Sequence, residues 1–400
     1  MTAEILIMNK SAISMAADSV VTVGNRKTYT GVNKLFMLSN NPPMGIMIYG
    51  TADFMEMPME SLIKEYRNEC KRQNYTTVAE FTENFINFLK EYSFSKSNPE
   101  KIFKEQLDGF KNNMPEDFLN KITNEIDNIS TAENPDFDDK FSKFLNSKEF
   151  KEHNLFFDEI VKDKFNVPDN KKKIITKILQ KVFISNLFMA STGIVIAGFN
   201  KDDIYPSFSA NNILTIVKDE LWYDESSKEE NYKYPIIQAF AQTDVVNTFL
   251  MGVDIDIVNN IGYFFEKTIN DYPDKILEAI EQNRKINGKP LNNLKKEICL
   301  ISKSNNEILE DYKKLIEELI KTSTNPLLKS VGSLPKEELS NMAESLIHIT
   351  SLKRKVEEGL ETVGGDIDVA LISKGDGFIW TKRKHYFDSK LNYQFFNKRI

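Results

Sequence analysis

Residues 58–188 contain a single glycine, Gly109, and carry apolar side chains at three- and four-residue spacing, with strand-like sequence on either side. Phe81, Phe85, Phe88, Leu89 and Tyr92 set that period, and Phe118, Ile122 and Ile126 repeat it, as do Ile174, Ile175, Ile178, Leu179, Val182 and Phe183. Such spacing lines apolar groups along one stripe of a helix, so these aromatic stripes predict helix packing rather than a cofactor box. Before the block, Ile5–Met8 and Ala12–Ala17 flank the turn Asn9-Lys10-Ser11, and Leu35–Ser39 and Met44–Tyr49 flank Asn40-Asn41-Pro42-Pro43. After it, strands are expected at Gly193–Gly198, Ile204–Ala210, Ile213–Val217 and Pro235–Ala241. Helical periodicity then runs from Val245 to near Leu319, a helix is predicted from Pro335 to Val356, and a hairpin joins Ile367–Ile372 to Phe378–Thr381. Strands and helices arriving in blocks predict a layered α+β fold rather than alternating βαβ units.

Charge and thiol content narrow the chemistry. Lys and Arg total 52 against 59 for Asp and Glu, a net −7 with both signs mixed, which speaks against nucleic acid as a partner. Cys70 and Cys299 are too few for a disulfide framework or a structural zinc site. His153, His348 and His385 are scattered, which leaves little for a histidine-rich metal centre or a Ser-His-Asp triad. The acidic stretch 133–139 lacks the spacing and glycine of a calcium loop and reads as solvated. No apolar run reaches the roughly 18–20 residues of a membrane span, and no signal peptide is visible. The expectation is a cytoplasmic globular protein with no metal, cofactor or membrane partner.

One residue offers a nucleophile with its own base. If Met1 is removed, Thr2 presents a hydroxyl and a free α-amine together, and an amine with a reference pKa of about 7.7–8.0 suits the task of taking the hydroxyl proton. Asp18 follows the second strand-like run, and Lys34 stands just before Leu35; the separations are equal, 18 − 2 = 16 and 34 − 18 = 16. Gly50-Thr51-Ala52-Asp53 then follows an apolar run and is expected to open a helix.

With these features the chain resembles the N-terminal nucleophile hydrolases of the proteasome β-subunit type and the bacterial heat-shock peptidase related to them. The resemblance covers roughly the first 55 residues, then 183–252 and 336–382, including Gly193–Gly198 and the turn Val363-Gly364-Gly365-Asp366. It implies Thr2 as nucleophile, Asp18 and Lys34 as its charge partners, and Tyr49 with Gly50 at the oxyanion-hole turn. Tyr49 stands where that family has a glycine, so a large side chain is expected to crowd the cleft. Supporting roles fall to Thr243, Glu361 and Thr362. A lysine beside Thr2 would stabilise a developing alkoxide, and Asp18 would keep that ammonium charged and aimed.

The resemblance implies a four-layer αββα sandwich. Its core segments are 2–57, 183–269 and 333–400; 58–182 is a helical insertion and 270–332 a second helical addition. The implied function is cleavage of amide bonds, chiefly peptide bonds, through an acyl-enzyme on Thr2. Peptide or protein substrates and a closed homo-oligomer, ring-like or otherwise, follow from it. The insertion, through Phe81, Phe85 and Leu89, is either a subunit or partner contact or, more simply, internal packing. The alternatives are an amidase of a small non-peptide amide and a catalytically silent scaffold or binding protein.

Overall fold

The strand β1 (Ala3–Asn9) is buried at every position, which is why its sequence shows an unbroken apolar run instead of alternation. The computed structural model describes residues 2–23, 27–129, 139–282, 305–357, 363–385 and 387–392. In it, β1 pairs antiparallel with β2 (Ala12–Ala17) on one side and β12 (Ile236–Ala241) on the other. With β13 (Asp368–Ser373) and β14 (Gly377–Lys382) they form an antiparallel sheet of order β12-β1-β2-β13-β14, here sheet I. Sheet II is also antiparallel, of order β11-β10-β9-β6-β5. Its strands are β5 (Leu35–Asn40), β6 (Pro43–Gly50), β9 (Thr192–Gly198), β10 (Ser207–Val217) and β11 (Glu220–Glu229). The short ribbons β3 (Val21–Val23) with β4 (Lys27–Tyr29), and β7 (Asp53–Phe54) with β8 (Met57–Pro58), stand apart from both.

Alternation along β1 decides what faces what. Ala3, Ile5 and Ile7 meet Leu339, Ala343, Leu346 and Ile347 of the helix Lys336–Val356. Leu6 and Met8 instead join Met47, Val195, Ala197 and Phe208 of sheet II in a shared apolar cluster. Even-numbered residues at this end of the chain therefore point toward sheet II, Thr2 and Glu4 among them.

The other face of sheet II, with Ile46, Ile48, Ile194 and Ile196, packs on α1 (Met59–Cys70) and α2 (Val78–Lys96). A capping box between Thr77 and Glu80 starts α2, satisfying backbone donors that the first turn leaves open. Phe81, Phe85 and Leu89 are 2%, 0% and 0% exposed within this chain, so internal packing, not a subunit contact, accounts for them.

The helices α3 (Pro99–Asn112), α4 (Glu116–Ile129), α5 (Asp139–Leu145), α6 (Lys148–Lys151), α7 (Asn154–Lys164) and α8 (Asp169–Met189) follow. They gather an aromatic cluster of Phe103, Phe144, Phe150, Phe157 and Phe183 against Trp222 of β11. After β12 come α9 (Asp244–Met251), α10 (Ile255–Gln282), α11 (Asn305–Val331) and α12 (Lys336–Val356). Glu337 and Glu338 lie in the first turn of α12 and Lys353, Arg354 and Lys355 in its last, each sign at the end of the helix dipole that favours it. Asp244 at the start of α9 accepts from Lys353 at 2.8 Å and from Arg354 at 2.5 Å, tying α9 to α12.

The α+β class and the antiparallel sheets agree with the sequence expectation; several local expectations do not. Gly50-Thr51-Ala52-Asp53 does not open a helix: the β7–β8 ribbon intervenes, turning through Met55 and Glu56 at φ +49° and +62°. The stretches 204–210 and 213–217 are one strand, β10, which begins at Ser207 and absorbs an irregularity at Ala210/Asn211. β11 was absent from the sequence expectation because most of this edge strand is polar and only Leu221 and Trp222 are buried. Most of the acidic stretch 133–139 lies outside the described residues. No described helix is long and apolar enough to cross a membrane.

Candidate active site

Thr2 enters the structure as an extension of β1, its carbonyl accepting from Gln242 N at 3.2 Å. Its hydroxyl points toward sheet II and donates to Glu4 Oε2 at 3.0 Å, two residues along the same face of the strand. Asp18 follows β2, where its backbone N donates to Ala3 O at 3.1 Å, so the hairpin that pairs β1 with β2 also brings Asp18 beside residue 3. Lys34 precedes β5 and crosses between the sheets, donating to Asp18 Oδ1 and lying 3.6 Å from Glu4 Oε1. The equal 16-residue spacings thus converge on one place.

All four side chains are buried: Thr2 and Lys34 are 3% exposed, Glu4 1% and Asp18 0%. An unpaired ammonium or carboxylate there would cost several kcal/mol. Asp18 is served best. Ala3 N donates to Oδ1 at 3.1 Å, and Val20 N at 3.3 Å and Gly364 N at 3.0 Å donate to Oδ2. The Gly364-Gly365 turn before β13 therefore supplies a backbone donor to the cluster. Glu4 is served worst. Oε2 accepts only the Thr2 hydroxyl, and the buried Oε1 has no hydrogen bond. Burial pushes the Glu4 carboxyl up to about 8, with nearby Asp18 adding to the rise while Lys34 and the Thr2 hydrogen bond oppose it.

Beside Thr2 lies a pocket of about 10 Å³ lined by Val21, Val32, Lys34, Ile48, Tyr49, Gly50, Thr51 and Ala52, room for roughly one water. Tyr49 does not project freely into it. Its ring stacks on Phe240 of β12 at 5.3 Å between centroids, and its hydroxyl donates to Asn212 Oδ1 at 2.9 Å. Burial pushes that phenol up to about 12. The ring lies flat over Gly193, where a Cβ would stand 2.0–2.3 Å from its carbons. Gly50 ends β6 at φ +76°, and a Cβ there would meet Ser191 O at 2.4 Å.

Thr243, immediately before α9, makes no side-chain hydrogen bond with Thr2, Asp18 or Lys34. Glu361 and Thr362 lie outside the described residues, as does Met1. Glu4 was absent from the sequence expectation, although it is the single charged residue between Thr2 and Asn9. A carboxylate inside an apolar strand is the signal that could have found it. Among the described residues no group of three or more His, Cys, Asp or Glu side chains could hold a metal ion. Cys70 is buried against α2, and burial pushes its thiol up to about 11, so it offers little thiolate near neutral pH.

No protein-family model matches the chain, and no curated protein matches it. Solved structures that match include the Anbu complex from Pseudomonas aeruginosa, described as a helical assembly. That chain is 8% identical, has a TM-score of 0.37, and is matched over 99% of this chain and 93% of its own. Anbu, the ancestral beta-subunit, from Yersinia bercovieri is 8% identical with a TM-score of 0.32, over 99% and 94%. The resemblance to the proteasome β-subunit type and the heat-shock peptidase is corrected by these matches. The two Anbu chains are among the structures this chain is similar to, at a distance that transfers neither fold nor activity.

Proposed function

We propose that this chain hydrolyses amide bonds, with Thr2 Oγ1 as the nucleophile and Lys34, held by Asp18, as the positive charge beside it. The observation that carries the reading is the buried convergence of Thr2, Glu4, Asp18 and Lys34 next to a water-sized pocket. A threonine hydroxyl needs a base and a stabilised alkoxide to attack a carbonyl carbon. Removal of whatever precedes Thr2 frees an α-amine on the same residue, and the buried ammonium stabilises negative charge in a site where water cannot screen it. Attack forms an ester on Thr2 and releases the amine half of the substrate; water, activated by the α-amine, then releases the acid. The Tyr49–Gly50 turn is the proposed oxyanion and substrate side, and Thr243, Glu361 and Thr362 remain supporting residues in it.

Peptide bonds are the first substrate class to try. A second reading is a small non-peptide amide, favoured by the Tyr49 side chain, which lines the pocket beside Thr2 and narrows it. In this reading α1 and α2, sheet II, sheet I, and α9 with α12 form the four layers of an αββα sandwich. The insertion expected over 58–182 is in this reading cut to α3–α8, because α1 and α2 pack on sheet II, and the helical stretch 270–332 is the second addition. Self-association belongs to the same proposal: Ile257, Ile261, Phe264 and Tyr272 are all more than half exposed along α10, a face suited to a second copy of the chain. Hydrolysis of short peptide and simple amide substrates by wild type, Thr2→Ser and Thr2→Ala tests the function. Retained activity in Thr2→Ser with none in Thr2→Ala is expected; equal activity in Thr2→Ala removes Thr2. An intact residue before Thr2 in the native protein would turn the reading to a binding protein.

A further inference from the structure

We infer that Glu4 is a catalytic residue, the group that takes the Thr2 hydroxyl proton and returns it to the leaving nitrogen. This inference rests on the proposal that Thr2 is the nucleophile. The geometry is direct: Thr2 Oγ1 already donates to Glu4 Oε2 at 3.0 Å, the reach required of a general base.

The charges facing Glu4 explain why it, and not Asp18, handles the proton. Two carboxylates and one side-chain ammonium share the buried cluster, and the freed Thr2 α-amine adds no charge in the unprotonated form that activates water, so full ionisation of the carboxyls leaves one negative charge without a partner. Asp18 receives three backbone N–H groups and the Lys34 ammonium. Glu4 receives one hydroxyl and a more distant Lys34 at 3.6 Å, and its Oε1 is buried without a hydrogen bond. Glu4, with the poorer set of donors, is therefore the carboxyl that holds a proton. Also facing it are the freed α-amine of Thr2 and Tyr49 of β6, whose phenol stays neutral because burial pushes it up to about 12. A Glu4 carboxyl pushed up to about 8 lies near working pH, where a base both accepts and gives up a proton efficiently.

The step balances. The Oγ1–H bond breaks and its proton goes to Glu4 Oε2 while Oγ1 bonds to the carbonyl carbon and the C=O π pair moves to oxygen. On collapse that pair reforms C=O, the C–N bond breaks, and the Glu4 proton goes to the departing nitrogen. Glu4 thus replaces the α-amine of Thr2 as the base for the first step, and the amine is left to activate water in the second half.

The test is the rate at which a β-lactone acylates Thr2 in wild type and Glu4→Gln between about pH 5 and about pH 10, read by intact mass. Glu4→Gln keeps an oxygen for the hydroxyl but cannot exchange a proton. The expected result is a rate at least about a hundredfold below wild type above pH 8, with the ratio of the two rates growing as pH rises through 8. A ratio that stays constant with pH, or rates that agree throughout, overturns the inference while leaving Thr2 as nucleophile. Failure of wild type to be acylated overturns the nucleophile proposal and this inference with it. Should Glu4→Gln not fold, Glu4→Asp, whose carboxyl is withdrawn by one methylene, is expected to slow acylation and shift its pH profile; a wild-type rate and profile there also overturn the inference.

Discussion

Lys34 and Asp18, from opposite sheets, form an ion pair in which the ammonium side chain is 4% exposed and the carboxylate 0%. The pair joins the start of β5 to the end of β2. Its removal has two consequences of different kinds, one for folding and one for chemistry.

Lys34→Ala leaves Asp18 and Glu4 buried without their shared cation, a loss of about 3–5 kcal/mol for breaking a buried pair. Urea unfolding is expected to show that loss, and turnover is expected to vanish under conditions where the variant is still folded. Lys34→Ala protein with full activity would take the lysine out of the mechanism.

Glu4 gives the fold a pH dependence of definite sign. Its carboxyl is raised from 4.5 to about 8 by burial, so the folded chain holds a proton that the unfolded chain has released between those values. The stability of the wild type is therefore expected to fall as pH rises from 4.5 through 8, since each pKa unit of difference is worth about 1.4 kcal/mol. Glu4→Gln, with no proton to lose, is expected to show a flatter melting temperature across the same range. Parallel curves for the two proteins would contradict the assignment.

Gly193→Ala places a methyl group where the Tyr49 ring lies, at 2.0–2.3 Å. Displacing the ring breaks its stack on Phe240 and its bond to Asn212, and overpacking of this kind costs about 1–3 kcal/mol. Tyr49→Ala made in the same chain is expected to relieve part of that cost, so the two substitutions are non-additive in thermal melts. Strict additivity would mean that the ring does not occupy this position.

Phe85→Ser removes a ring that is 0% exposed between α2 and sheet II. Loss of a buried Phe costs about 3–5 kcal/mol. Thermal stability is expected to drop while light scattering gives an unchanged oligomer; an altered oligomer with unchanged stability would return Phe85 to an interface.

Much of this arrangement was legible in the chain because local rules and tertiary packing agree there. The β1–β2 hairpin follows Asn9-Lys10-Ser11, and α12 begins directly after Pro335, as the acidic first turn predicts. Asp18 and Lys34 were singled out by the resemblance and its spacing; the hairpin sets Asp18 beside residue 3, and Lys34 reaches it from the start of β5 in the other sheet. Glu4 was not, because a strand buried on both faces shows no alternation to mark which way residue 4 points. β11 was hidden by its own polarity as an edge strand, and the turn after Gly50 by left-handed backbone at Met55 and Glu56, residues that carry no turn signal. The family resemblance failed for a related reason: a few residues at matching intervals specify a cluster, and a cluster is a smaller thing than a family.

The most direct measurement is the intact mass of the native protein isolated from cells, before and after exposure to a β-lactone. Removal of the residue before Thr2 and one adduct per chain, mapped to Thr2 and absent from Cys70 and Cys299, is the predicted result. A chain that keeps that residue and gains no adduct would contradict the claim that Thr2 is a nucleophile.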